Sequence, residues 1–305
     1  MDVSKTRLDA GIRPGTACGC FSNDSEGVAA LAAFCAAHKA ELVVMEATGG
    51  YERAAFLLLW QAGIACALTN PRAVRRYAEA MGILEKTDQI DAAVIARFAE
   101  ARNLQPGKPP SPAQQQLGAL VARLSQVTGD LTVQKQRRSC ARDAETTASL
   151  DEVIALLKSQ SRKLEGEIAS LIDDDPLWAR LNEAFRTIKG VASRTVARLM
   201  AEMPEIGIYS NKAISKLAGL APIANDSGNH KGKRSVRGGR RAVRSILFLV
   251  ADIARRYDQS LADFHRRLTA AGKPKMTVRI ALAHKLLVRL NAKARKTRAQ
   301  FANAT

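Results

Sequence analysis

The sequence has few features that mark membrane, secreted or zinc-binding proteins. It contains no run of 18 or more apolar residues, which excludes an ordinary transmembrane helix. Met1 to Lys5 lack the basic-then-apolar order of a signal peptide. We therefore expect a cytoplasmic protein without a membrane partner.

Cysteine usage gives no sign of cross-linking. The chain has five cysteines, an odd number without CxxC spacing, at Cys18, Cys20, Cys35, Cys66 and Cys140. This pattern argues against a disulfide framework and against a zinc site. We interpret the cysteines as small apolar residues.

Aromatic residues are also scarce, at 5%, whereas positive charge is abundant. The net charge is +18, and residues 181–305 hold 26 Lys and Arg against 7 Asp and Glu, so the first 180 residues are nearly neutral. Such asymmetry indicates a polyanionic partner, because Lys and Arg that neutralise phosphates release counterions. Nucleic acid is favoured over a membrane surface, since the basic part shows no amphipathic helix with an aromatic face.

The pattern of apolar residues predicts three regions. Residues 1–108 alternate between strand and helix patterns and predict an α/β domain with a central sheet. Residues 109–176 follow the proline-rich linker Gln105–Pro112 and carry apolar residues near a 3.5-residue period, which predicts long helices of coiled-coil type. Residues 177–305 predict a mainly α-helical basic domain. The stripe of the middle region fits an intramolecular core or a dimer seam equally well.

Two elements of the basic domain are candidates for phosphate contact. The segment Ile188–Ala197 is similar to a helix-hairpin-helix turn, although Ala192 replaces its second glycine, and an ordinary helical packing unit is the alternative. The second is a cationic, glycine-rich stretch, formed by Lys231, Lys233, Arg234, Arg237, Arg240, Arg241 and Arg244. Interleaved glycines allow a nucleic-acid backbone to come close, and a solvated helix face is the alternative.

Four carboxylates of the first region are candidates for a metal site. Glu46 ends a predicted buried strand, Asp2 lies in the opening strand, and Asp88 and Asp91 share one face of a helix by their i, i+3 spacing. Converging carboxylates suit Mg²⁺ or Mn²⁺ and phosphoryl transfer. Taken singly, each residue also fits a plain structural role, such as a helix cap or a first-turn acid.

The segments around these acids are Met1-Asp2-Val3-Ser4-Lys5, Met45-Glu46-Ala47-Thr48-Gly49-Gly50-Tyr51 and Lys86-Thr87-Asp88-Gln89-Ile90-Asp91-Ala92. Together they resemble the DEDD signature of insertion-sequence transposases, the bridge-RNA-guided recombinases with a RuvC-like, ribonuclease H-like N-terminal domain. Later in the chain, Lys216-Leu217-Ala218-Gly219-Leu220-Ala221-Pro222, Asp226-Ser227-Gly228 and the basic stretch resemble the serine-containing C-terminal domain of the same family. The resemblance covers nearly the whole chain.

That resemblance implies an enzyme of the bacterial cytoplasm that recombines donor and target DNA. Asp2, Glu46, Asp88 and Asp91 would bind the divalent metal, and Ser227 would be the nucleophile that forms a phosphoserine link and frees a 3′-OH. It further implies a noncoding guide RNA and a homo-oligomer, dimer or tetramer, because the acids and the serine belong to different domains. Only Met1 precedes Asp2, fewer residues than the family normally has there, and this predicts a weakened first strand and a true start further upstream.

Two other functions stay open from sequence. A junction-resolving nuclease would use the four acids with water as the nucleophile. A non-catalytic nucleic-acid-binding scaffold would use neither the acids nor Ser227.

Overall fold

The computed structural model describes residues 1–85, 87–229 and 232–303. Lys231, one of the predicted phosphate contacts, lies outside the described residues. The chain divides into two compact units, Met1–Pro110 and Ser111–Thr305. The division into three domains stays a prediction.

The first unit is built on two small sheets. One is antiparallel in the order β1-β2-β3, and the other is a parallel pair of β4 and β5. The Met1 amino group donates a hydrogen bond to the Val44 carbonyl oxygen at 2.8 Å, which places β1 beside β4. The strands are β1 (Asp2–Val3), β2 (Arg7–Gly11), β3 (Cys18–Ser22), β4 (Val43–Glu46) and β5 (Cys66–Thr69).

Four helices complete this unit: α1 (Ser25–Ala37), α2 (Glu52–Gln61), α3 (Pro71–Ala80) and α4 (Asp88–Arg102). From sequence, Ser25 is a candidate cap for a helix starting at Glu26, but the cap of α1 is Asp24, because the Asp24 carboxylate accepts from the Gly27 amide at 2.8 Å. The sequence pattern predicts this helix from about Val74, but α3 begins three residues earlier, since Asn70 caps it and Pro71 occupies the first turn.

Apolar side chains of the strands pack in two separate hydrophobic cores. Val3, Leu8 and Met45 belong to a cluster completed by α1 and α2. Val44 belongs to a second cluster, completed by α3 and α4. Because successive side chains of a strand point to opposite faces, the strand positions between the residues of the first cluster point toward α4.

The predicted linker agrees with the structure. Helix α4 ends at Arg102, followed by Asn103 in the left-handed conformation with φ 46°. The next helix starts at Pro112. The three prolines and the glycine between them prevent a continuous helix.

The second unit opens with a helical hairpin made of α5 (Pro112–Cys140) and α6 (Ala144–Asp173). The apolar stripe predicted from sequence supplies its inner face, where Leu117, Leu124 and Ile168 are buried. These residues share one core with the helices that follow, so the stripe near them serves intramolecular packing.

The rest of this unit is helical around a long central helix. Helix α12 buries eight residues along its length and contacts α7, α9, α10 and α11. The apolar run Ser245–Val250 predicts a helix, and α10 begins four residues earlier, because arginine is a good helix former and extends the helix toward the basic stretch. The elements are α7 (Pro176–Arg186), α8 (Ser193–Glu202), α9 (Asn211–Leu217), β6 (Pro222–Ile223), β7 (Ser235–Val236), α10 (Arg241–Ala254), α11 (Gln259–Ala270) and α12 (Lys275–Ala302).

Across the described residues, every helix is too short or too polar to span a bilayer. All five cysteines are free thiols. Cys35 and Cys66 are buried, as expected for small apolar residues, whereas the other three are exposed.

Candidate active site

Three carboxylates of the first unit point to the sheet face that α4 covers. Asp2 lies between Met1 and Val3, and Glu46 follows Met45; these three neighbours all pack in the cluster under α1 and α2. Strand alternation therefore turns Asp2 and Glu46 toward α4. Both carboxylates also act on the Met1 amino group. Burial lowers the pKa of this group to about 6, and the negative charges of Asp2 and Glu46 partly oppose that decrease.

The third carboxylate, Asp9, is one that our sequence analysis missed. It lies on β2 between two residues of the same cluster, and the β1–β2 register places it directly opposite Asp2. Directly opposed residues of an antiparallel pair have neighbouring side chains on the same face. The alternation Leu8-Asp9-Ala10 was the available signal, because a single acid inside an apolar strand is rarely buried without a partner.

Arg7 is the partner of Asp9. Its Nη2 and Nε atoms donate to the two carboxylate oxygens at 2.6 and 2.9 Å, which forms a bidentate ion pair, and Asp9 is only 6% exposed. Asp9 raises the pKa of the Arg7 guanidinium through this bond, and the charge of Asp88 adds to the effect. Arg7 is therefore paired with Asp9 and lies within electrostatic reach of Asp88 in the first turn of α4.

Helix α4 presents its two acids at its N-terminus. The Thr87 hydroxyl caps the helix by accepting from the Ile90 amide at 3.3 Å, so Asp88 is not the cap. Asp88 and Asp91 lie in the first helical turn, where the helix dipole favours negative charge. Helix α4 packs against β1, β2 and β4, the three strands that carry Asp2, Asp9 and Glu46.

Two polar residues hold the loops beside these acids. The Asn23 side-chain amide donates to the carbonyls of Ser4, after β1, and of Tyr51, after β4, at 2.8 and 3.2 Å. The buried Glu52 carboxylate accepts from the Thr48 and Gly50 amides at 3.1 and 2.8 Å. Burial by itself raises the pKa of Glu52, but these hydrogen bonds outweigh it and lower the pKa.

The face is acidic, yet its carboxylates do not converge on a single metal position. Within the part of the chain that the structure describes, no three His, Cys, Asp or Glu residues stand close enough to hold a metal ion. The donors are all carboxylate oxygens, the hard ligands that Mg²⁺ and Mn²⁺ prefer, so their chemistry fits such an ion.

Ser227 belongs to the second unit and lies in the connection between β6 and β7. The residue is exposed, and Gly228 after it has φ 53° in the left-handed region. Among the described residues, its hydroxyl has no hydrogen-bond partner, and no histidine contacts it. Gly232 lies in the same connection, and its missing Cβ leaves room for the Asn225 carbonyl oxygen.

The basic stretch separates into exposed and anchored cations. Lys233, Arg234, Arg237 and Arg241 are exposed and form no ion pair within the described residues. Arg240 instead donates to both Glu205 oxygens at 2.5 and 2.6 Å and to the Glu202 carbonyl at 2.8 Å. Arg244 donates to the Gly238 carbonyl at 2.6 Å. The sequence did not distinguish these roles, because it does not show which arginine meets a partly buried acid.

Close backbone contact explains the glycines of this region. A Cβ on Gly219 would lie 2.2 Å from the Gly238 carbonyl oxygen, and one on Gly239 would lie 2.2 Å from the Gly219 nitrogen. The turn after α9 and the turn before α10 therefore touch main chain to main chain. This contact orients the start of the basic helix relative to the strand that leads to Ser227.

Comparison with known proteins identifies both parts of the chain as parts of transposases. Residues 1–141 match the IS110 DEDD family, described as a transposase, and residues 182–266 match the transposase family IS116/IS110/IS902. Transposase domains of the DEDD class are generally metal-dependent.

Individual relatives agree with these matches. The pilin gene-inverting proteins of Moraxella bovis and Moraxella lacunata are each 28% identical over 299 residues, or 94% of this chain and 92% of theirs. An uncharacterized 43.6 kDa protein of insertion element IS110 from Streptomyces coelicolor is 30% identical over 146 residues, which span 45% of this chain and 35% of that protein.

The protein is thus a DNA transposase or recombinase. More specifically, the chain belongs to the IS110 family of transposases, which confirms the resemblance seen in the sequence.

Proposed function

We propose that this transposase exchanges DNA strands in a metal-dependent reaction in which Ser227 is the nucleophile. The observation that carries the proposal is the shared face of the first unit, where Asp2, Asp9 and Glu46 point toward the helix that begins with Asp88 and Asp91. An open strand order with β1 between β2 and β4 also supports a ribonuclease H-like fold for this unit.

In the proposed reaction the Ser227 Oγ attacks a DNA phosphorus atom and the P–O3′ bond breaks. The hydroxyl proton leaves the serine, the departing 3′ oxygen gains a proton, and the 5′ side stays attached as a phosphoserine. A 3′-OH of the partner strand then attacks that phosphorus and restores the serine. The phosphodiester bond is exchanged without an external energy source.

Exposed cations that follow the serine in the chain suit the first step. Lys233, Arg234, Arg237 and Arg241 have guanidinium and ammonium groups available for phosphates, and donors of this kind stabilise the charge that develops on phosphoryl oxygens. Lys231 is part of the same proposal from sequence. Arg240 and Arg244 would act indirectly, by fixing the turn and the helix start.

Asp2, Glu46, Asp88 and Asp91 would hold Mg²⁺ or Mn²⁺, which when bound neutralises charge on the attacked phosphate. The proposed role of Arg7 is to compensate the acids when they are near one another, through Asp9 and Asp88. The proposed roles of Asn23 and Glu52 are to hold the loops that follow Asp2 and Glu46.

Recognition of the DNA partners belongs to the same proposal. A noncoding guide RNA that pairs with donor and target DNA would suit a chain with 5% aromatic residues and a strongly cationic second unit. The relatives named as pilin gene-inverting proteins support recombination of a DNA segment as the outcome. A homo-oligomer stays a prediction.

A serine variant tests the nucleophile. Ser227→Ala should abolish a covalent protein–DNA adduct, detected by denaturing electrophoresis with labelled DNA, while DNA binding stays within about twofold. Ser215→Ala provides no suitable control because Ser215 is buried and bonded to the Asn211 carbonyl. The exposed Ser235 on β7 is the matched control, and Ser235→Ala should keep the adduct. An undiminished adduct in Ser227→Ala would show that another residue is the nucleophile, whereas DNA cleavage without any adduct in the unmodified protein would favour the nuclease alternative.

An acid variant tests the metal site. Glu46→Gln and Asp88→Asn should each reduce recombination of a marked donor and target in Mg²⁺ by about 100-fold or more, on the order expected when transition-state charge loses a stabilising group. Glu41→Gln, at an exposed position before β4, is the control and should recombine normally. Normal recombination by both acid variants would show that these carboxylates have no catalytic role.

A further inference from the structure

A cleft of about 570 Å³ lies in the second unit, away from the basic stretch in sequence. Its volume is in the range of sites that bind small molecules or single groups of a larger ligand. Three parts of the chain contribute to it: the α7–α8 turn, the residues after α10, and α12. The lining side chains relevant to binding are Thr187, Lys189, Tyr257, Asp258, Arg289 and Lys293.

The acid and the arginine of this cleft are bound to each other. Asp258 accepts from the Arg289 Nη1 at 2.8 Å and also caps α11 by accepting from the Leu261 amide at 2.9 Å. Arg289 donates through its Nη2 to the Ser260 hydroxyl at 2.5 Å. These bonds fix both side chains, so the pair forms a rigid wall and adds no net charge.

The two lysines give the cleft its charge. Neither Lys189 nor Lys293 forms an ion pair with any residue that the structure describes. With Arg289 balanced by Asp258, the lining carries an excess of two positive charges. Ammonium groups at the edge of a concave surface favour an anionic ligand, and phosphate is the usual one.

An exposed aromatic ring stands beside these cations. Tyr257 is 63% exposed, although tyrosine normally buries most of its ring or uses it in contacts. Its amide donates to the Ala254 carbonyl at 3.0 Å, which fixes the residue at the end of α10. An exposed aromatic ring on a fixed main chain is a platform on which an unstacked base can lie.

The two walls of the cleft are joined by main-chain contact. Gly190 in the α7–α8 turn has φ 93°, and a Cβ there would lie 3.0 Å from the Ala254 Cα atom. The turn that carries Lys189 therefore packs directly on the helix end that precedes Tyr257.

We propose that this cleft binds one nucleotide of a single-stranded nucleic acid, with its phosphate on Lys189 and Lys293 and its base on Tyr257. The inference rests on the proposed nucleic-acid function of the protein. It deepens that function by assigning a strand-binding site distinct from Ser227. A base inside a duplex has both faces stacked, so the tyrosine platform selects a single strand.

Fluorescence anisotropy with a labelled 12-nucleotide strand tests this site. Lys189→Gln combined with Lys293→Gln should weaken binding about tenfold and reduce the slope of log Kobs against log salt by about 0.7 for each phosphate that the variant no longer neutralises. Tyr257→Ala should weaken it on the order of tenfold, whereas Tyr257→Phe should bind like the unmodified protein. DNA and RNA strands are measured separately, and the tighter one identifies the strand that the cleft takes.

The matched control removes the same charge elsewhere in the unit. Lys135→Gln combined with Lys158→Gln changes exposed, unpaired lysines of α5 and α6 and should leave affinity within about twofold. An equal loss of affinity in the two double lysine variants would overturn the proposal, since the loss would then come from nonspecific removal of positive charge. Full affinity in Tyr257→Ala, an equal loss for duplex, or competition by inorganic phosphate at the strand's own concentration would also overturn it.

Cross-linking tests the site on the unmodified protein, so it does not depend on whether a variant folds. A strand containing 5-iodouracil, irradiated on the unmodified protein, should yield a peptide adduct at Tyr257 by mass spectrometry. Adducts confined to other peptides would exclude the cleft. Binding and cross-linking need no strand exchange, so they are unaffected if the Ser227 assignment fails, and a failed cleft leaves the Ser227 adduct intact.

Discussion

Burial determines the chemistry of the cysteines. Cys66 has no exposed surface, and burial together with the nearby Cys35 raises the pKa of its thiol to about 12. Burial also raises the pKa of Cys35. A thiol reacts through its thiolate, so both residues are protected in the folded chain.

We therefore expect a thiol reagent such as iodoacetamide to modify Cys18, Cys20 and Cys140 in the native protein and all five cysteines after unfolding. Peptide mass spectrometry at pH 8 measures the sites. Modification of Cys66 as fast as Cys140 under native conditions would contradict the buried placement.

Glu52 shows how one side chain organises a loop. Its Oε2 atom accepts from the Thr48 amide, the Thr48 hydroxyl and the Gly50 amide, at 3.1, 3.0 and 2.8 Å. Gly49 and Gly50 in this loop have φ 85° and 130°, which requires glycine. The carboxylate replaces hydrogen bonds that such a turn would otherwise leave unmade.

Glu52→Gln should lower the free energy of unfolding at pH 7 by about 1–2 kcal/mol, because the hydrogen bonds lose their charged acceptor. The folded pKa of Glu52 is lowered, so its stabilising effect is present above the unfolded value of about 4.3 and is lost as pH falls through the folded pKa. The difference in unfolding free energy between the unmodified protein and Glu52→Gln, measured by urea unfolding, should shrink as the pH is lowered below about 5. A constant difference across that range would contradict the charge-based explanation. Glu26→Gln, an exposed first-turn acid of α1, is the comparison and should change stability little.

At the scale of elements, α12 organises the second unit through a buried amide. Asn291 is fully buried and accepts from the Gly207 amide at 2.7 Å. It also donates to the Tyr209 carbonyl and to the Asn211 side chain, at 3.1 and 2.8 Å. One side chain thus joins α12 to the turn between α8 and α9.

Asn291→Ala should destabilise the protein by about 2–4 kcal/mol, because it leaves buried donors and acceptors unpaired and opens a cavity. Thermal unfolding followed by circular dichroism measures this loss. Asn303→Ala, beyond the end of α12, is the control and should leave the midpoint unchanged within error. A normal midpoint in Asn291→Ala would show that the hydrogen bonds contribute little.

Element types were largely predictable from sequence, whereas their ends and partners were not. The strand ending at Glu46 and the helix starting at Asp88 follow from runs of apolar residues and from capping residues. Asp9 escaped prediction because its position opposite Asp2 depends on strand pairing, and pairing is nonlocal. The roles of Arg240 and Arg244 escaped for the same reason, since their partners lie elsewhere in the unit.

At the scale of the whole molecule, charge is segregated between the two units. Residues 1–110 hold 12 basic and 12 acidic residues, and residues 111–305 hold 35 and 17. The excess charge therefore resides in the second unit, together with Ser227 and the basic stretch. Such a unit should bind nucleic acid with an affinity that falls steeply as salt rises.

Replacing Lys233, Arg234, Arg237 and Arg241 by Gln should weaken duplex DNA binding and reduce the slope of log Kobs against log salt by about 0.9 for each phosphate left without its cation. Arg240→Gln should instead lower the thermal midpoint and leave the slope nearly unchanged, because its guanidinium is bound to Glu205. Filter binding at several salt concentrations measures the slope. An unchanged slope in the fourfold variant would place the phosphate contacts elsewhere.

The amino-acid sequence by itself determined the class of protein, the neutral and basic parts of the chain, and four of the acids of the candidate site. These depend on composition and on motifs that are contiguous in the chain. Only the tertiary structure decided that Asp9 faces Asp2, that Arg240 is an anchor, and that Lys189 and Tyr257 line one cleft. Each of these joins residues through pairing or packing across the fold, and local patterns of apolar and polar residues contain no record of such contacts.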